Sequence, residues 1–240
     1  MSSDTKKAGA RKLARDYFKS LELFEESVYL PSSTKSRPGK RQTLPGSLDP
    51  LPKSLEKFRE QIVNCANCPL GKSREHIVFG DGNAHARIVF VGEAPGAEED
   101  KQGIPFVGAA GRLLNQMLEA VGLVRERDVY ICNVLKCRPP QNRDPLPEEV
   151  ETCSPYLLAQ LSLIAPDIIV CLGRHAAHAL LGVDSAMKDL RGRVLPWHGM
   201  QVLVTYHPAY YLRNMNNLHF GEEDFRLLRQ LYDQLAANSR

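Results

Sequence analysis

The sequence predicts an α/β protein: a single αβα three-layer domain with a central, mainly parallel four-stranded sheet, preceded by an N-terminal extension. Three observations predict it. Four short apolar runs recur along the chain, stretches of helical period lie between them, and the composition is that of an ordinary globular protein, with 43% hydrophobic and 25% charged residues among 240. Continuous apolar runs suit strands buried on both faces. Strands alternating with helices give a parallel sheet covered on both sides.

Taken in order, residues 11–29 carry Leu13, Tyr17, Leu21 and Phe24 at helical spacing among charges, which reads as an amphipathic helix. Residues 31–54 collect Pro31, Pro38, Pro45, Pro50 and Pro52 with Ser, Gly, Lys and Arg, the composition of a linker. Residues 1–54 hold eleven Lys/Arg against six Asp/Glu, a net of +5, whereas residues 55–240 hold twenty against twenty-two, a net of −2. The extension, residues 1–54, therefore reads as a solvated tail or as a tether for DNA or a repair or replication partner. A nucleic-acid site in the body, residues 55–240, must be a local patch. In the body the expected strands are 87–92, 128–133, 167–172 and 201–205, and the expected helices about 110–122, 147–164, 173–182 and 221–236. No run of about 18 apolar residues is present, so no membrane span is expected. The start, Met1 to Lys7, lacks the apolar core of a secretory signal. A cytoplasmic protein, of the bacterial cytosol or nucleoid, is expected.

In such folds the ligand sits beyond the carboxyl ends of the strands. The segments after Val91, Cys132, Leu172 and Thr205 are therefore the places to seek chemistry. The first reads Gly92-Glu93-Ala94-Pro95-Gly96 and continues to Gly103-Ile104-Pro105-Phe106-Val107-Gly108. Glycines let a backbone approach a ligand and expose its N–H groups. Glu93 at the mouth of a buried strand can order a water or balance positive charge, and Phe106 can offer a flat face to a planar ligand. A tight βα turn over a core Phe would look the same. Asn133 ends the second strand and offers a paired donor and acceptor, which matches the edge of a pyrimidine or an amide, or caps a turn. His207 ends the fourth strand in Thr205-Tyr206-His207-Pro208-Ala209, where it can donate to a developing oxyanion.

The six cysteines carry no export signal ahead of them, so metal binding or catalysis is a better reading than disulfides. Cys65 and Cys68 form a C-x2-C, and Cys137 and Cys153 follow. Four thiolates hold zinc or an iron–sulfur cluster, and spacing does not choose between them. Cys132 and Cys171 lie inside strand patterns and read as small buried hydrophobes.

Gly-Glu-Ala-Pro-Gly at 92–96, Pro-Phe-Val-Gly at 105–108, Asn133-Val-Leu-Lys-Cys-Arg-Pro-Pro140, His207-Pro-Ala-Tyr210 and Cys65-Ala-Asn-Cys68-Pro-Leu together resemble the family 4, or iron–sulfur, uracil-DNA glycosylases, in order and over about residues 58–235. The resemblance implies a [4Fe-4S] cluster on Cys65, Cys68, Cys137 and Cys153. It implies a uracil pocket made by the Gly92–Ala94 backbone, Phe106 stacked on the base, Asn133 on its polar edge and His207 near O2. It assigns Glu93 and His207 catalytic roles and places Glu99 where an acidic side chain would crowd a thymine methyl. Its implied activity is that of a monofunctional hydrolase acting, as a monomer, on uracil in single- or double-stranded DNA. Tyr211, Leu212 and Arg213 would fill or prop the gap left by the flipped base, although Tyr211 stands where the family commonly has Leu and can instead face the protein. Lys136, Arg138 and Arg143 are expected phosphate contacts, with Arg191 and Arg193 as a second set. The alternative is a non-catalytic iron–sulfur protein of the same fold that binds damaged DNA, against which intact Glu93, Asn133 and His207 speak.

Overall fold

A computed structural model describes residues 43–237. The helix expected over 11–29 and the linker up to residue 42 lie outside the described residues. Packing begins ahead of residue 55: Leu44 is buried in the core, and its N–H donates to Ser162 Oγ at 3.1 Å.

Helix α1 (Leu55–Ile62) starts at Ser54, whose hydroxyl accepts from the Lys57 N–H, and buries Leu55, Phe58 and Ile62. Then follow β1 (Asp81–Gly82), β2 (Ile88–Gly92), α2 (Ala97–Gln102), α3 (Ala109–Ala120), α4 (Arg125–Asp128) and β3 (Val129–Asn133). The chain continues through α5 (Pro147–Ile164), β4 (Ile168–Leu172), α6 (Arg174–Leu181), α7 (Met187–Leu190), β5 (Val194–Trp197) and β6 (Met200–Thr205). It ends in α8 (Pro208–Arg213) and α9 (Leu218–Ala237).

The sheet order is β1-β3-β2-β4-β6-β5. The four central strands, β3-β2-β4-β6, are parallel and are the four expected from the apolar runs. The expected count of four is corrected to six by two antiparallel edge strands. Both escape an apolar-run reading for physical reasons. β1 has only two residues, and β5 carries Pro196, a residue that cannot donate to a ladder and belongs on an edge.

Alternate strand residues serve opposite faces. Val89, Val91, Tyr130, Cys132, Ile169, Cys171, Val202 and Val204 pack with Phe58 of α1, Leu157 and Leu161 of α5 and Ala176 and Leu180 of α6. Ile88, Phe90, Ile131, Ile168, Val170 and Leu203 pack with Leu114 and Leu118 of α3 and Phe225 and Leu228 of α9. This is the expected three-layer arrangement. The connection after β2 passes to the α3 face and the one after β4 to the α6 face. A crevice therefore opens between the carboxyl ends of these neighbouring strands, at the switch point of the topology. Among the described residues no helix is long and apolar enough to cross a membrane.

Phe90 is fully buried and stacks on Phe225 at a ring-centroid distance of 5.8 Å. Phe90→Ala should cost about 3–5 kcal/mol of unfolding free energy, measurable by denaturant titration, because the sheet cannot collapse into the void.

Candidate active site

The β2–β3 pairing runs past both strands into the crevice. The Val134 N–H donates to the Gly92 carbonyl at 2.9 Å, and the Leu135 N–H donates to that of Glu93 at 3.0 Å. These bonds hold the loop after β2 beside Asn133. Gly92 has no room for a side chain: a Cβ there would stand 2.3 Å from Asn133 Oδ1 and 2.7 Å from the Phe106 ring. Asn133 is only 1% exposed, and its Oδ1 has no hydrogen-bond partner. A buried amide oxygen left unpaired carries a desolvation penalty that a ligand donor would relieve.

Phe106 adopts a left-handed backbone, φ 54°, which the surroundings enforce. The Arg125 guanidinium, itself buried, donates to the Phe106 carbonyl at 2.8 Å and to that of Pro105. Glu99 clasps the same loop: Oε1 accepts from the N–H groups of Val107 and Gly108 at 2.9 and 2.8 Å, and Oε2 accepts from that of Gly96 at 3.1 Å. Both its oxygens are thus engaged by backbone, and the Phe106 loop is tied to the loop after β2. The Phe106 ring lies 5.4 Å from that of His207, tilted by 32°.

His207 caps α8, its Nδ1 accepting from the Ala209 N–H at 3.1 Å. Burial, and then the nearby Arg213 charge, push its pKa down to about 4. Near neutral pH the ring is uncharged, and an accepting Nδ1 leaves the proton on Nε2 as a donor. Glu93 behaves oppositely: burial first, then the neighbouring Asp144 carboxylate, push its pKa up to about 7, against a pull from Arg174. Its Oε2 lies 3.7 Å from Nε2 of His175, which is 3.3 Å from Asp144 Oδ2. Sequence reasoning marked the end of β4 but named no residue there, and it passed over Asp144 and Arg125. Histidine 175 had no motif to single it out; its signal was position at a strand's carboxyl end.

The expected DNA-contact residues divide. Leu212 is 42% exposed, Arg213 is exposed, and Met215, which the sequence reading passed over, is 59% exposed two residues further on. Tyr211 is fully buried, its hydroxyl 3.2 Å from Thr205 Oγ1 and its ring against Gly221. It faces the protein, which corrects its expected place in a wedge. Lys136 is 1% exposed and donates to the Asn133 carbonyl and to Gln160 Oε1, both at 2.6 Å. Its expected phosphate contact is therefore corrected. Arg143 is half-committed, forming a bidentate pair with the buried Glu149, and Arg138 donates to Asn142 Oδ1 at 2.8 Å. Arg191 pairs with Glu223 at 3.0 Å, whereas Arg193 is exposed.

Cys65, Cys68, Cys137 and Cys153 line one small concavity with Arg74 and Tyr156. All four are free thiols. Arg74 donates to Cys137 Sγ at 3.4 Å and to the Cys65 carbonyl at 2.6 Å, and Tyr156 Oη is 3.5 Å from Cys65 Sγ. Burial pushes the Cys153 thiol up to about 11, so a metal would have to displace its proton. Four soft sulfur donors gathered around one concavity are the ligand chemistry of zinc or of an iron–sulfur cluster.

Fold and site together define a doubly wound α/β protein whose sheet-edge crevice is shaped for a flat ring with a polar edge. Residues 79–235 match the model of the uracil DNA glycosylase superfamily. A type-4 uracil-DNA glycosylase of Thermotoga maritima is 50% identical over 165 residues, 68% of this chain and 85% of the relative. One from Archaeoglobus fulgidus is 47% identical over 185 residues, 74% and 92% of the two chains. A type-5 uracil-DNA glycosylase of Pyrobaculum aerophilum is 32% identical over 216 residues, 77% and 93%. The chain belongs to the uracil-DNA glycosylase superfamily and, within it, to the type-4 family.

Glu93 holds a proton more tightly folded than unfolded, with a pKa of about 7 against 4.5. The folded state therefore loses stability as pH rises from about 4.5 to 7, and the loss is constant above that. Glu93→Gln removes it. The variant should be more stable than wild type at pH 8, on the order of 2 kcal/mol after allowance for partial exposure, and nearly equal to it at pH 4.5. Thermal unfolding at the two pH values checks this.

Proposed function

We propose that this protein is a uracil-DNA glycosylase, a monofunctional hydrolase that flips uracil out of DNA and cleaves its N-glycosidic bond. The product is an abasic site for base excision repair. The observation that carries the reading is the buried, unpartnered Oδ1 of Asn133 beside the Phe106 ring. A planar base lying on Phe106 presents its edge to that amide. Uracil offers N3–H as a donor and O4 as an acceptor, which matches an amide's oxygen and nitrogen. Cytosine reverses both positions and leaves the buried amide mispaired, which is how a site built on hydrogen bonds rejects an isostere.

A base inside the stack must first be extruded, at a cost of a few kcal/mol. The exposed Leu212, Arg213 and Met215 stand ready to fill the gap. Bond cleavage leaves negative charge on uracil and cationic character on the sugar. Neutral His207 donates from Nε2 toward O2, and the backbone N–H groups of the loop after β2 assist it. The Glu93 carboxylate stabilises the sugar cation and positions water. None of these pocket residues is a lysine, so no imine step is available to them.

Cys65, Cys68, Cys137 and Cys153 would hold a [4Fe-4S] cluster, which when bound cross-links the 65–74 segment, the stretch after β3 and α5. The substrate is DNA, single- or double-stranded, handled by a monomer in the cytosol or nucleoid. The basic residues 1–54 add a tether for DNA or a repair or replication partner.

Two experiments test this. Iron-loaded protein should produce alkali-sensitive breaks at uracil in an oligonucleotide, and Glu93→Gln should slow excision at least about 100-fold. Iron-loaded protein that binds the oligonucleotide without producing breaks would overturn the reading in favour of a damage-binding protein. Cys137→Ser should lose iron and acid-labile sulfide together. Wild-type protein that carries stoichiometric zinc and no sulfide would contradict the cluster.

A further inference from the structure

The crevice between β2 and β4 holds a second set of charged groups on its β4 side. Gly173 leads from β4 into α6 with φ +92°, so Arg174 and His175 turn at once toward the loop after β2. Nε2 of His175 is a meeting point. It lies 3.7 Å from Glu93 Oε2, 3.3 Å from Asp144 Oδ2 and 3.3 Å from Arg174 Nη2. Arg174 Nη2 is also 3.6 Å from the Asp144 oxygen. The ligand atoms of Glu93, Asp144 and His175 all fall within 4.8 Å of one another. Asp144 comes from the loop after Asn142, His175 from α6 and Glu93 from the end of β2, so three separate chain segments converge. Within α6, His178 also faces His175, its own Nε2 lying 3.0 Å from the Ser185 carbonyl.

A proton on Nε2 goes to the nearer acceptor, Asp144 Oδ2 at 3.3 Å, whereas Glu93 Oε2 at 3.7 Å is within ion-pair reach but beyond a hydrogen bond. Asp144 thereby fixes the ring with its N–H edge near Glu93.

We propose that His175, held by Asp144 and Arg174, is a positioning residue for base excision: its Nε2–H edge faces the Glu93 carboxylate across 3.7 Å and, together with Arg174, favours its ionised form. The inference rests on the reading of Glu93 as the catalytic carboxylate. It supplies what that reading lacks, since a carboxylate half buried beside another negative charge resists ionisation. Arg174 pulls Glu93 in the opposite sense to Asp144, and the N–H of His175 adds to that pull in this proposal, so the cluster sets the pH at which Glu93 becomes active.

The signs of the effects separate this role from a merely structural one. The iron-loaded full chain would be assayed for single-turnover excision from pH 5.5 to 9, with uracil-DNA affinity measured alongside. Wild-type excision should rise through a pH of about 7, where Glu93 ionises. In His175→Ala the loss of a donor moves the rise to higher pH, so the rate falls about 3–10-fold at pH 6 and approaches wild type at pH 9. His175→Gln keeps a side-chain N–H and should recover part of that loss. Asp144→Asn keeps an acceptor for the ring but removes a charge, so the rise moves to lower pH. DNA affinity should stay within about 2-fold throughout, because no variant removes a group placed against DNA.

Profiles of His175→Ala and Asp144→Asn that run parallel to wild type at every pH, or that move in the same direction, would overturn the proposal. Asp144 is exposed, so its Asn variant carries the test even if the Ala variant folds poorly. Glu93→Gln separates the two levels of the argument. Full activity in that variant would remove the catalytic role of Glu93 itself, whereas an inactive Glu93→Gln with unshifted His175 and Asp144 variants would remove only the positioning role.

Discussion

At Gly92 the sheet, the stacking ring and the amide meet with no space for a methyl group. A Cβ would stand 2.3 Å from Asn133 Oδ1 and 2.7 Å from Phe106. The remainder of the pocket is arranged around that close approach. The pairing of β2 with β3 fixes Asn133 in register with Gly92. Glu99 and Arg125 then hold the Phe106 loop against it through backbone groups. Glu93, one residue on, is carried into the crevice by the same strand. A rigid sheet thus places a flat face, a polar edge and a carboxylate from two adjacent strand ends and one clasped loop.

The two ends of this molecule's chemistry share one stretch of chain. Residues 133–137 run from the amide of Asn133 to the thiol of Cys137. Lys136, between them, ties the Asn133 carbonyl to Gln160 from inside the core. Ala94 packs in the same small cluster as Cys68, Cys137, Cys153 and Leu135. A group held by the four cysteines would therefore brace both the Asn133 segment and the loop after β2. Asp144, further along the same connection, reaches back toward Glu93. The loop between β3 and α5 is thus shared by the metal-binding concavity and the crevice.

The sequence was most legible where periodicity and position coincide. The four apolar runs became the four parallel strands with their ends nearly unchanged, because strands buried on both faces leave no polar interruption. Gly92, Asn133 and His207 were legible as strand-end residues. The two edge strands were not, since Asp81–Gly82 is too short for a pattern and β5 contains Pro196. Lys136 and Tyr211 were misplaced for a common reason. Charge and aromaticity suggest a surface and a wedge, whereas tertiary packing buried the lysine among neutral oxygens and the tyrosine against Gly221. The joint action of Glu99 on three backbone N–H groups and the convergence of His175 with Asp144 depend on segments distant in sequence. Neither has a local signature.

The proposed function turns on the buried, unpartnered Oδ1 of Asn133 pairing with the edge of uracil. The direct measurement is inhibition of excision by free uracil and by 3-methyluracil, which has the same ring but no N3–H. Uracil should inhibit, and 3-methyluracil should be weaker by about tenfold or more, the worth of one buried hydrogen bond. Equal inhibition by the two would mean that Asn133 does not read N3, and the pocket's assignment to uracil would fall with it.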